Sequence, residues 1–184
     1  YVYRKMELPN YGVFDEKRYF FPGRQNGFFQ LGPMRFGLTI CEDIWQKSGA
    51  VYQKGYAGAN SFLINISASP YHRGKQIERE LLLRNLASSA KATVLYLNLV
   101  GGQDELVFDG GSMVVDPNGK VLARARRFEE DTLVADIPAG QDRKPLIRRA
   151  DRTSPLGHEA EVYRALALGT HDYIQKNGFK KVLI

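Results

Sequence analysis

The single cysteine, Cys41, stands where the apolar run Phe36-Gly37-Leu38-Thr39-Ile40 gives way to Glu42, Asp43, Ile44 and Trp45. A thiolate is a strong nucleophile. A sharp turn at the end of a strand would expose it beside free backbone N–H groups that stabilise a developing oxyanion. Two carboxylates follow at the carboxyl end of the strand, where open α/β sheets place their chemistry. The competing reading is a buried core thiol, the commonest fate of a free cysteine.

The elements that must position this turn are readable in order. Val2 and Tyr3 read as the tail of a strand, and residues 8–23, dense in Pro, Asn, Gly and aromatics, as a structured loop. Residues 28–31 and 36–40 read as strands around a Gly32-Pro33 turn, residues 52–59 as a short helix, and 62–67 as another strand. Strand, helix, strand at this spacing is a βαβ-like rhythm that puts the Ser67-Ala68-Ser69-Pro70 loop on the same side of the sheet as Cys41. A helix opens at Arg73-Gly74-Lys75, with Ile77 and Leu81 on one line and Leu83, Ala87 and Ala90 on another, forming a broad apolar stripe.

Residues 93–100 form the next strand, and 101–112 a glycine-flanked polar loop. Residues 113–125 form a hairpin around Pro117-Asn118-Gly119, and 132–137 a final strand. The sheet is expected to mix parallel and antiparallel strands, with helices on one face. Residues 138–155 show no periodicity and read as a linker or arm. An amphipathic helix runs from Glu159 to an Asn177-Gly178 cap, and residues 179–184 begin a strand. The first residue is Tyr1 rather than methionine, which reads as a piece of a longer chain.

Composition narrows the class. With 43% hydrophobic and 25% charged residues in 184, the chain is neither disordered nor membrane-spanning. One cysteine makes no internal disulfide, so a reducing cytoplasm is the default. The net charge of +6 is concentrated at Arg124, Arg126 and Arg127, at Arg143, Lys144, Arg148, Arg149 and Arg152, and at Lys176, Lys180 and Lys181. No nucleic-acid-binding signature accompanies these clusters, so they read as solvated surface or as contacts to a phosphate-bearing ligand or another subunit.

Four stretches together carry a resemblance. Arg4-Lys5 with Leu8-Pro9-Asn10-Tyr11-Gly12-Val13-Phe14-Asp15-Glu16, Ile40-Cys41-Glu42-Asp43-Ile44-Trp45, Asn65-Ile66-Ser67-Ala68-Ser69-Pro70-Tyr71, and Gly101-Gly102-Gln103-Asp104-Glu105-Leu106-Val107-Phe108-Asp109-Gly110 resemble the nitrilase superfamily of carbon–nitrogen hydrolases. Within it they resemble most the glutaminase domain of glutamine-dependent NAD synthetases. The resemblance implies an α/β fold, a nitrilase-like α-β-β-α sandwich with a mixed sheet. It would be incomplete at its N-terminal side and followed by the first helix and strand of a second α/β domain. The implied division is 1–137 for the partial glutaminase domain, 138–158 for the linker and 159–184 for the start of the synthetase domain.

That family hydrolyses glutamine with a Glu–Lys–Cys triad. The resemblance implies that Cys41 is the nucleophile and Lys5 the cationic member, which also fits an ammonium stabilising a thiolate and an oxyanion. The family's general-base glutamate lies upstream of Lys5, so this stretch alone is expected to be inactive. Glu16 is implied to orient Lys5, and Glu42 to contribute its N–H. Tyr11, Phe14 and Trp45 would wall the glutamine pocket, Ser67 would bind the amino-acid end, and Arg73 is a candidate for the α-carboxylate; for each aromatic, core packing is the alternative. The implied partners are L-glutamine, deamido-NAD and ATP, in a cytoplasmic homo-oligomer with no nucleic acid or membrane. No cofactor is implied for this stretch, and ATP with Mg is implied for the full-length synthetase, whose pyrophosphate loop follows a strand like Val182-Leu183-Ile184 in the family. The alternatives are a free-standing nitrilase-type amidase and a non-catalytic basic binding module.

Overall fold

The structure is a computed structural model that describes residues 2–46, 61–136, the backbone of 146–149, and 156–183. Strands β1 (Gly27–Leu31) and β2 (Met34–Ile40) form an antiparallel hairpin, and β2 then pairs in parallel with β3 (Ser61–Ser67). β3 pairs in parallel with β4 (Thr93–Asn98). The antiparallel hairpin of β7 (Met113–Val115) and β8 (Val121–Arg124) completes a six-stranded mixed sheet in the order β1-β2-β3-β4-β7-β8. The parallel strands are largely apolar, with one face buried and the other partly open, where Ile66 is 56% and Leu97 49% exposed. Within β3 the polar residues Ser61, Asn65 and Ser67 are all buried, Asn65 fully.

Helix α1 (Lys75–Ala90) covers one face of the sheet. Leu83, Leu86 and Ala87 pack with Ile44, Leu63, Val94, Tyr96, Met113 and Val115 into a closed core. Each fully buried aliphatic side chain there contributes about 1.5–3 kcal/mol relative to exposure. The expected apolar stripe of α1 is corrected in one respect. Ile77 and Leu81 are 72% and 60% exposed, whereas Arg79 is solvent-inaccessible. A polar side chain faces the core because it finds buried partners there.

Four further expectations change. The polar loop at 101–112 is largely a second hairpin, β5 (Val100–Gln103) and β6 (Leu106–Asp109), turned at Asp104 with φ 51°. It is held from outside by helix α2 (His158–Lys176), a non-local contact that no local pattern reveals. A Cβ on Gly102 would come within 3.0 Å of the Cα of Gly169 on α2, so the close approach requires glycine. Strand β9 (Val134–Asp136) is shorter than residues 132–137 and does not join the main sheet. It pairs with β10 (Leu146–Arg149), inside the stretch expected to be a structureless linker.

Residues 2–3 and 179–183 are not strands and belong to none of the sheets. The expected helix at 52–59, Ile137, most of the linker with Arg143, Lys144 and Arg152, and Ile184 lie outside the described residues.

Candidate functional site

The chain leaves β2 in extended geometry at Ile40 and turns at Cys41, whose φ of 45° is left-handed, into a short 3-10 turn, Cys41–Ile44. A non-glycine residue in that region costs about 1–3 kcal/mol and persists only where its surroundings over-determine it. Asp43, fully buried, supplies the determination. Its Oδ2 accepts the N–H of Ile40 at 2.8 Å and the Tyr3 hydroxyl at 2.8 Å, and its Oδ1 accepts the N–H groups of Met6 at 3.0 Å and Glu7 at 2.8 Å. Hydrogen bonds to a charged group are worth about 1.5–3 kcal/mol each, so the four outweigh the strain. They also fasten the segment that carries Lys5 to the turn that carries Cys41.

Lys5 is placed further by its carbonyl, which accepts the N–H of Gly23 at 2.7 Å. A Cβ on Gly23 would lie 2.1 Å from the Arg4 carbonyl oxygen, so glycine alone fits there. The Lys5 ammonium donates to both carboxylate oxygens of Glu16 at 2.7 Å. The Tyr11 hydroxyl likewise donates to both oxygens of Glu42 at 2.9 Å, and the Gln46 amide donates to Glu42 at 3.0 Å. Burial and the Glu42 carboxylate push the Tyr11 phenol up to about 12, so it remains a donor. Both glutamates are therefore engaged.

From the other side, the end of β3 closes on the thiol. Asn65 donates to Thr39 Oγ1 at 2.9 Å and to the Cys41 carbonyl at 3.4 Å, while the Ser67 hydroxyl donates to Asn65 Oδ1 at 2.6 Å. Burial pushes the Cys41 thiol up. The Lys5 ammonium, the Ala68 N–H and the Ser67 hydroxyl pull it back without cancelling the rise, and Glu42 adds to it. At neutral pH Cys41 is thus a thiol, and its activation needs a proton acceptor.

Of the expected site residues, Cys41, Lys5, Glu16, Glu42, Tyr11 and Ser67 converge. Phe14 adjoins them, its ring edge-on to Tyr11 at 5.9 Å. Trp45 packs against the core, with the Lys75 ammonium 4.0 Å from its ring centroid. Arg73 is exposed on the turn before α1. Ser67 is buried, its hydroxyl 2.6 Å from Asn65 Oδ1.

Sequence reasoning missed Asp43 as the fastener, and Asn65, Asn98 and Arg79 as the residues that shape the 67–70 loop. An asparagine inside an apolar strand was the available signal. No group of three or more His, Cys, Asp or Glu residues suited to a metal ion occurs among the described residues. No helix among them is long and apolar enough to cross a membrane.

A sequence model of the carbon-nitrogen hydrolase family matches residues 1–143. The glutamine-dependent NAD(+) synthetase of Thermotoga maritima is 41% identical over 212 residues, spanning 100% of this chain and 37% of its own length. That of Xylella fastidiosa (strain 9a5c) is 44% identical over 186 residues, spanning 100% and 33%.

Among solved structures, the glutamine-dependent NAD+ synthetase of Acinetobacter baumannii bound to ADP superposes with a TM-score of 0.82 at 36% identity, over 98% of this chain and 33% of that one. An amidase from Nesterenkonia sp. AN1, in a mutant carrying the acetamide moiety of fluoroacetamide on its active-site cysteine, gives 0.57 at 29% identity, over 67% and 45%. The chain therefore spans a little over a third of the length of the first of these curated relatives. The α/β, nitrilase-like architecture with a mixed sheet is the one observed.

Proposed function

The chain belongs to the carbon-nitrogen hydrolase family, and from that premise we propose that Cys41 hydrolyses the side-chain amide of glutamine. In the whole protein, the ammonia released would feed the ATP-dependent amidation of deamido-NAD to NAD. The observation that carries the reading is a thiol held at a left-handed turn at the end of β2, with the segment that bears Lys5 fastened to that turn by Asp43. Such an arrangement suits attack on a planar amide.

The thiol proton passes to a general-base carboxylate, which the resemblance puts upstream of Lys5. The sulfur then attacks the amide carbon, and the oxygen gains charge that Lys5 and the N–H of Glu42 stabilise. Collapse with proton return expels ammonia and leaves a glutamyl thioester. Water attacks the thioester, releasing glutamate and restoring the thiol. Both oxygens of Glu16 are held by Lys5 and both of Glu42 by Tyr11. On this reading, these 184 residues alone do not turn over glutamine.

The division into a glutaminase unit at 1–137, an arm at 138–158 and the opening of a synthetase unit at 159–184 belongs to the same proposal, as do a cytoplasmic location and ATP with magnesium as the needs of the second unit. In the whole protein, Cys41→Ala is expected to abolish glutamine-dependent NAD formation and spare formation from free ammonia. Loss of both would make Cys41 structural and overturn the proposal.

A further inference from the structure

The interior holds a second polar cluster, apart from the thiol, that the hydrolysis does not use. Arg79, in the middle of α1, is fully buried. Its guanidinium donates to Ser69 Oγ at 3.2 Å, to the Ser69 carbonyl at 2.8 Å, to the Pro70 carbonyl at 3.1 Å and to Asp109 Oδ1 at 2.6 Å. Asp109, also fully buried, receives two bonds from Arg127 on its other oxygen, at 3.1 and 2.8 Å. Arg127 in turn donates to Glu161 on α2 at 3.0 Å. The cluster holds two cations and two anions, and its far end is supplied by α2.

Its near end grips the loop that faces Cys41. Besides the three Arg79 bonds, the Ser69 N–H is accepted by Asn98 Oδ1 at 2.9 Å, and Asn98 donates back to the Ser69 carbonyl at 3.4 Å. Ala68, whose N–H pulls the Cys41 thiol down, directly precedes Ser69, and Ser67 beside it bonds Asn65, which donates to the Cys41 carbonyl at 3.4 Å. Ser69 is thus held by side chains on two elements, and one of these, Arg79, has as its charged partner Asp109, which is linked through Arg127 to Glu161.

We infer that Glu161 is a positioning residue for the nucleophile: through Arg127, Asp109 and Arg79 it fixes the 67–70 loop and with it the Ala68 N–H against Cys41. This rests on the reading of Cys41 as the nucleophile and deepens it, because thiol reactivity becomes dependent on the ion pair that α2 supplies through Glu161. Losing the charge at Glu161 leaves Arg127 without one carboxylate and the buried cluster with excess positive charge. Asp109 is then drawn toward Arg127, and Arg79 loses its hold on Ser69. Of the other groups acting on the thiol, Lys5 and Glu42 pair outside this chain of contacts, while Tyr96 on β4 faces the thiol and also Arg79 and Asp109.

The test uses the full-length protein and follows alkylation of the Cys41 peptide by iodoacetamide against pH, by mass spectrometry, together with kcat and KM for glutamine. Glu161→Gln is expected to move the alkylation midpoint upward and slow alkylation at pH 8 by about tenfold, the effect of one unit in the thiolate fraction. It is expected to lower kcat for glutamine with little change in KM. Asp172→Asn loosens the same helix at its bond to the Gly102 N–H, 2.7 Å, without touching the ion chain, and is expected to leave the alkylation profile in place.

An unchanged profile in Glu161→Gln overturns the inference, as does an equal shift in both variants. Should Glu161→Gln fail to fold, Glu161→Asp decides: a smaller upward shift supports the inference, and no shift overturns it. The alkylation arm needs no substrate. Absence of glutamine turnover in the unaltered protein would therefore overturn the proposed function while leaving this inference to be judged by alkylation.

Discussion

Among the described residues two aspartates are fully buried, and they are satisfied in opposite ways. Asp43 accepts four neutral donors, three backbone N–H groups and one phenol. Asp109 accepts two guanidinium groups. Neutral donors fasten a carboxylate to local backbone, so Asp43 fixes the shape of one turn and the segment laid against it. Guanidiniums bring charges that need further partners, so Asp109 becomes the centre of a cluster joining α1, β6, the chain after β8 and α2. One aspartate makes a geometry; the other makes a connection between elements.

The largest effect is expected at the connection. Asp109→Asn strands the buried Arg79 and takes one carboxylate from the half-buried Arg127, and should cost about 3–5 kcal/mol, measured by denaturant unfolding. A loss below about 1 kcal/mol would mean that the arginines reach solvent or each other's acceptors, and the contrast between the two aspartates would fail. Asp43→Asn turns an amide donor toward N–H donors and should cost less, about 1.5–3 kcal/mol. In the full-length protein it should nevertheless lower glutamine turnover on the order of a hundredfold, because Lys5 is displaced from Cys41.

A third variant sharpens what the turn does for the thiol. Lys5→Met removes the attraction that opposes burial, so the pH at which Cys41 becomes alkylated should rise above that of the unaltered protein. An unchanged or lower midpoint would show that the ammonium does not act on the sulfur. The smallest effect is expected outside both sites. Arg124 and Glu80 form an ion pair at 2.7 Å with Arg124 39% exposed, and Arg124→Met should change stability by less than about 1 kcal/mol.

The sheet strands β2, β3 and β4 and the β7–β8 hairpin were legible because their apolar runs and the Pro-Asn-Gly turn are local signals. The β5–β6 hairpin was not, because paired glycines and acids read as a loop until α2 is laid across them. The face of α1 was half legible. Leu83 and Ala87 are buried as expected, but a guanidinium at position 79 counts as polar in any periodicity, and its burial depends on Asp109, thirty residues away.

In the site, the thiol, its lysine and the paired glutamates follow motifs. Asp43 was visible as a residue but not as the fastener, since its partners Tyr3, Met6 and Glu7 lie across sequence separations that spacing does not report. Trp45 and Arg73 were assigned by resemblance to a pocket. Here one rests on the core and the other is in solvent.

Those separations bear on how the molecule assembles. The bonds of Asp43 to Tyr3, Met6 and Glu7 close loops of 40, 37 and 36 residues. The strand turn and its 3-10 extension, by contrast, close within four residues. Long loops meet the entropy of closure before any contact rewards it, so β2 and its turn form early and the segment bearing Lys5 settles onto them late. The turn that bears the nucleophile is therefore shaped before its cation arrives.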